Sequence, residues 1–315
     1  MCAYCSTNGS PCHLIGHFRR RTPFARTIGM NHNLQMSESE EKGPPWPINV
    51  ELQTLHGIVI HYSIKVQEAA TRLEADRPHV SYHALANLHM RAIIIHRSIR
   101  DLCEAGWTPV TGILIRTLLD IYVNCLAIAI VPEDSEFMAF RFLLAFPLSR
   151  VNDSTLSKET RQPHREEIEA AISRLPSKDT ARATALITDI TRKSYWYQPE
   201  FSSPSDLLKR TKGDMPFLYR TFSGSTHGGV VGLALLDDEP DTSNINPRRH
   251  PRQTPISIVA SSRLLLEITF LRDQIEGTQE NVGYYFIKDK VLLPLKGKAW
   301  EEQDMEPPFD AAAQG

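Results

Sequence analysis

Within residues 48–75, Leu52, Leu55, Val59, Tyr62 and Val66 recur three or four positions apart. That is the spacing of one face of an α-helix, and it predicts a helix that buries one side. Related patterns repeat down the chain. The sequence predicts helices over 80–104, 109–131, from 133 through EDSEFMAFRFLLAF, 158–175, 178–194, the short DLLKR stretch, 215–226 and 255–280. Pro109 suits a first turn, and Gly106 suits the stop before it. Alternating strand patterns are confined to VVGLALL and YYFI. The fold class is therefore all-α, a single bundle of about seven to nine helices spanning 47–290. The expected flanks are a disordered extension and linker over 1–46, or a start upstream of the native one, and an irregular tail over 291–315.

The 315 residues carry a formal net charge of -2, which gives no support to a wholly basic nucleic-acid binder but leaves room for a local basic patch. Arg116, Asp120 and Asn124 interrupt the most apolar stretch, ILIRTLLDIYVNCLAIAIV, so it reads as a buried helix rather than a membrane span. Of five cysteines, Cys103 and Cys125 lie in apolar helical patterns, and Cys2, Cys5 and Cys12 crowd the N-terminus. With no apolar signal region ahead of them, they point to a reducing, cytoplasmic setting. The N-terminal spacing matches no familiar zinc module, and no metal or other cofactor is expected.

Three constellations could carry chemistry. Arg116, Asp120 and Asn124 follow one another at four-residue steps and make a polar stripe on an otherwise apolar helix. Arg263 and Glu267 repeat the device on the last long helix. Each can be an intrahelical ion pair that satisfies itself, or the two can share a polar pocket between helices. The third is YRTFSGSTHGG, where Tyr219, Arg220, Ser223 and His227 fall on one side if the helix holds through Gly224. Arg220 and His227, seven apart, lie within about 20° of each other on such a helix. His79 and His83 have the i,i+4 spacing of a metal pair but lack the Glu of an H-E-x-x-H. The aromatic run Tyr195, Trp196, Tyr197 and Phe201 suits packing or stacking on a base, and Arg248, Arg249 and Arg252 form a basic loop.

Across roughly 85–270 the order HRSIRDLCEAGW, ILIRTLLD, WYQPEFSSPSDLL, YRTFSGSTHGG, SSRLLLEI resembles a bacterial all-helical family known as a domain of unknown function. RTFSGSTH is also similar, more distantly, to the arginine-to-histidine motif of the HEPN superfamily of helical ribonucleases and nucleotide-binding modules. Thr221 stands where that pattern usually has Asn, Asp or His, and a glycine falls within the motif. The resemblance implies a metal-independent endoribonuclease of a stress-response or defence system, acting as a homodimer with Arg220 and His227 as the catalytic pair. Arg116, Asp120, Tyr219, Ser223, Arg263 and Glu267 would bind or support substrate. The chemistry fits these residue types: a near-neutral acid and base to activate a ribose 2′-OH, and a guanidinium to hold phosphorane charge. The alternative is a non-catalytic helical module that binds a nucleotide, RNA or protein partner, with no membrane association.

Overall fold

The computed structural model describes residues 48–76, 79–173, 179, 181–183, 196–197, 201–211, 215–226 and 253–296. All of these belong to one compact unit, Pro44–Gly315; residues 1–43, with Cys2, Cys5 and Cys12, lie outside the described residues. The helices are α1 (Val50–Asp76), α2 (Val80–Glu104), α3 (Thr108–Ala129), α4 (Ser135–Asn152), α5 (Lys158–Ser173), α6 (Pro204–Lys209), α7 (Met215–Thr226), α8 (Gln253–Glu276) and α9 (Asn281–Phe286). A 3-10 turn, Pro132–Asp134, precedes α4, and a π-helical stretch, Ile287–Leu292, continues α9. No strand occurs among the described residues. The fold is all-α.

Burial explains the arrangement. On α1, Leu52, Leu55, Val59, Tyr62 and Val66 all face the core, as their spacing predicts. Helix α8 has no such single face: Ile256 to Leu266 are buried without interruption, so the helix must be surrounded. It runs through the middle of the bundle and packs most extensively against α3, α2 and α1. Both Val110–Ala129 and Gln253–Glu276 are long and apolar enough to cross a membrane, and both occupy the core of this bundle. A smaller cluster of Phe137, Phe140, Leu144 and Leu148 on α4 packs against Ile168 of α5 and Ala183.

The helix ends follow local chemistry. Gly106 has φ 81° and lets the chain leave α2 with Trp107 N–H donating to Leu102 O at 2.8 Å. The N-terminus of α2 is capped from another helix: Glu136 of α4 accepts from Val80 N at 2.9 Å and Ser81 N at 3.2 Å, and from the Ser81 hydroxyl. Ser203 caps α6 by accepting from Asp206 N at 3.1 Å, with Pro204 in the first turn.

The C-terminal region differs from expectation. YYFI, a strand candidate by alternation, lies within α9 and the first π-helical residue, and helix continues to Lys296 rather than ending near 290. Tyr284 and Ile287 are buried three positions apart while Tyr285 and Phe286 face outward, which is helical periodicity. Four residues were too few to separate the two periods. The VVGLALL stretch lies outside the described residues.

Candidate functional site

Helix α3 is apolar nearly all round, so its polar stripe has to find partners. Arg116 Nη1 donates to Asp120 Oδ1 at 2.5 Å, one turn along. Its Nη2 donates to the Tyr219 hydroxyl of α7 at 2.7 Å, and its guanidinium carbon sits 4.1 Å from the centroid of the same ring. The Arg116 side chain is only 15% exposed against 53% for Asp120, so the cation is enclosed and the carboxylate lies at the rim. Desolvation holds the Asp120 carboxyl above its ordinary pKa, against the opposing pull of Arg116. One turn further, Asn124 Oδ1 accepts from Trp196 Nε1 at 2.7 Å. The carbonyl of Trp196 in turn accepts from the buried Arg141 at 2.8 Å. The stripe is a seam that fastens α7 and the Trp196 turn onto α3.

Helix α7 supplies the other half. Met215, Leu218 and Phe222 form its buried face, and the helix holds through Gly224 to Thr226. The expected shared side is divided, because successive residues point about 100° apart. Tyr219 turns to Arg116, whereas Arg220 is exposed and makes no ion pair or hydrogen bond among the described residues. Ser223 Oγ donates to Tyr219 O at 2.6 Å, within its own helix. His227 lies outside the described residues.

Arg263 and Glu267 form a separate centre. Arg263 Nε lies 3.0 Å from Glu267 Oε1. The same oxygen accepts from the Tyr284 hydroxyl at 2.9 Å, and Lys288 Nζ stands 3.7 Å away while donating to Tyr284 at 2.8 Å. The Arg116 pair is closed by Tyr219 and the Arg263 pair by Tyr284. Helix α3 turns one flank to each: Tyr122, whose hydroxyl bonds Thr211, lies beside Glu267 and Arg263.

The most deeply buried polar groups include His89 and His96, seven apart on α2 and a weak signal in the sequence, and Arg272 and Glu276, which the sequence reading passed over. Where α1, α2 and α8 meet, His89 Nε2 and Ser63 Oγ each lie 2.9 Å from Thr269 Oγ1. Arg272 bonds His89 Nδ1 at 3.0 Å, Glu276 at 2.8 Å and also Gln67. His96 bonds Ser261 at 2.9 Å and stacks on His56 with centroids 4.5 Å apart. Burial, reinforced by Arg272, lowers the His89 pKa to about 3; burial, then Arg100 and Arg97, lowers that of His56 to about 4. These imidazoles are neutral. The i,i+4 pair Arg272 and Glu276 was legible by the rule that found Arg263 and Glu267, and His89 and His96 are seven apart on one face.

Other candidates have local partners. His79 Nδ1 lies 3.5 Å from Glu136 Oε1, and His83 pairs with Asn87 at 3.2 Å. Among the described residues no three potential ligands converge as a metal site. Tyr197 and Phe201 are buried and stack edge-on, with Trp196 against Tyr197. Tyr195, Arg248, Arg249 and Arg252 lie outside the described residues. Cys103 and Cys125 are buried free thiols, and burial pushes that of Cys103 up to about 12.

Residues 82–243, just over half of the chain, match the model of a family described as a family of unknown function (DUF5677). The match spans α2 to α7 and thus both halves of the Arg116–Tyr219 seam. No curated protein and no solved structure matches the chain significantly.

Proposed function

This chain belongs to the family of unknown function DUF5677, and we propose that it is a helical binding module whose α3–α7 face receives an anionic partner, RNA or a nucleotide. One observation carries the reading. Arg116 is largely enclosed and bonded to Asp120 and Tyr219, while Arg220, the residue after that tyrosine, is exposed without a partner among the described residues. A guanidinium already bonded to a carboxylate and a phenol, and lying against that phenol's ring, is held in a structural role rather than aimed at a transition state. It is a good strut for the helix that presents the exposed one. Arg220 then offers a phosphate its planar fork. Lys209 and Arg210 on the adjoining end of α6 are also exposed and add to the positive field, with Asp206 the opposing carboxylate on that helix.

A second reading, the HEPN-type ribonuclease, is favoured by the length of α7. The helix does not break at Gly224, so Arg220 stands on a helix that is continuous through Thr226, the last described residue before His227. In that reading the two residues act together on RNA without metal.

One experiment separates the readings: fluorescence anisotropy with labelled single-stranded RNA at rising salt, alongside gel analysis of the same RNA in EDTA. The binding module predicts saturable, salt-sensitive binding, weakened by Arg220→Ala, with the RNA left intact. The ribonuclease predicts cleavage that is lost in His227→Ala.

A further inference from the structure

Among the described residues the deep arginines differ in how far their donors are engaged. Arg272 bonds Glu276, Gln67 and His89. Arg141 bonds the Trp196 carbonyl and contacts Met138 Sδ. Arg116 has Asp120 and Tyr219. Arg263 is 8% exposed, yet only its Nε is engaged, by Glu267 at 3.0 Å and without satisfactory hydrogen-bond geometry. Neither terminal nitrogen donates to a described residue, and neither is among the sealed atoms of the core. The guanidinium is thus mostly enclosed, its side chain 10% exposed and its terminal nitrogens unbonded among the described residues.

The surroundings of that fork are built to hold it. Glu267 Oε1 gathers Arg263, Tyr284 and Lys288 on one oxygen, which fixes the arginine from behind. Lys288 is 30% exposed, and its position follows from the π-helical stretch that begins at Ile287, an irregularity common at functional positions. Tyr122 and Tyr284 complete the wall, and burial raises both phenols, so they remain protonated and neutral. Two cations face one carboxylate, which leaves a net local charge of +1.

We propose that Arg263 and Lys288, held by Glu267 and Tyr284, form a second binding site, for the phosphate oxyanion of a small phosphorylated ligand. The unbonded terminal nitrogens of Arg263 take two phosphate oxygens and Lys288 supplies a point charge beside them. Its charged residues lie on α8 and the C-terminal helical stretch, beyond residues 82–243, and the site does not depend on the reading of the α3–α7 face. Inorganic phosphate and a nucleoside monophosphate carry the same oxyanion, and their relative affinities distinguish a bare ion from an organic phosphate.

The test is isothermal titration of the full chain with inorganic phosphate, adenosine monophosphate and acetate, using Arg263→Gln, Arg263→Lys, Lys288→Met and Arg220→Ala. The expected result is saturable phosphate or monophosphate binding that weakens about tenfold or more in Arg263→Gln and severalfold in Lys288→Met. Arg263→Lys, which keeps the charge and loses the fork, weakens it as well, and Arg220→Ala leaves it unchanged. Lys288→Met keeps the proposal testable if the Arg263 variants misfold. Three results would overturn it: no saturable phosphate or monophosphate binding below about 10 mM, affinity unchanged in both Arg263→Lys and Lys288→Met, or acetate bound as tightly as phosphate.

Discussion

Arg116 and Tyr219 meet twice: the guanidinium donates to the phenol oxygen at 2.7 Å and lies 4.1 Å from the centroid of the same ring. Residues 103 positions apart thereby fasten α7 to α3. A phenylalanine at 219 keeps the cation–π contact and loses the hydrogen bond, so Tyr219→Phe should cost about 1 kcal/mol. Asp120, half exposed and one turn from Arg116, forms the kind of pair that contributes little. Asp120→Asn should cost under about 0.5 kcal/mol in urea denaturation. A larger loss from Asp120→Asn than from Tyr219→Phe would show that the seam is held by the ion pair instead.

The buried histidines make stability depend on pH. His89 and His96 are fully buried, and burial holds both below the ordinary value near 6.5, with Arg272 adding to the effect at His89 and His56 at His96. They are neutral in the native state, while the unfolded chain binds protons as pH falls through about 6.5. The unfolded state thus holds more protons from there down to the native pKa, and stability falls with pH across that window. The loss should be about 2 kcal/mol for His89 at pH 5, with His96 contributing in the same direction. Denaturation midpoints between pH 7.5 and 5 measure it, and the slope should be shallower in His96→Asn. A flat profile would mean these rings are charged or accessible in the native state.

The all-α class was legible because the apolar spacing on α1 and α2 is clean and capping signals such as Gly106 fall where the helices stop. The site was legible only in pairs. Arg116 and Asp120 are one turn apart and announce themselves, but their partner Tyr219 lies 103 residues on. Nothing in helical spacing says that Tyr219 turns inward while Arg220 turns outward; the packing of Met215, Leu218 and Phe222 decides it. The Arg263 and Arg116 pairs look alike in sequence and are closed by different tyrosines. The Arg272 network escaped notice because its other members, Gln67 and His89, come from α1 and α2.

Arg272 and Glu276 are both about 1% exposed in their side chains and 2.8 Å apart. Removing one partner strands a buried charge, so Arg272→Met should cost about 3–5 kcal/mol. The double variant Arg272→Met with Glu276→Met should be less destabilised than either the sum of the singles or Arg272→Met alone. Additive losses in a double-mutant cycle would contradict a coupled pair.

Gly283 lies against Tyr62, where a Cβ would stand 2.9 Å from the ring carbon Cδ2. Alanine favours a helix over glycine by about 1 kcal/mol, so a bare propensity argument predicts stabilisation by Gly283→Ala. The contact argues the reverse. Tyr62 is 4% exposed and its ring has little room, so overpacking of about 1–3 kcal/mol should win. Thermal denaturation should show a lower midpoint, largely restored when Tyr62→Leu is added.

The most direct test of the central reading is to incubate the purified chain with a mixed, labelled RNA pool in EDTA, measuring binding and integrity in the same samples. The binding-module account predicts RNA held in a salt-sensitive complex, weakened by Arg220→Ala and recovered intact. Cleavage by the wild type that disappears in a folded His227→Ala variant would contradict it and make α7 the helix of an active site. Absence of any RNA complex at low salt would contradict it from the other side.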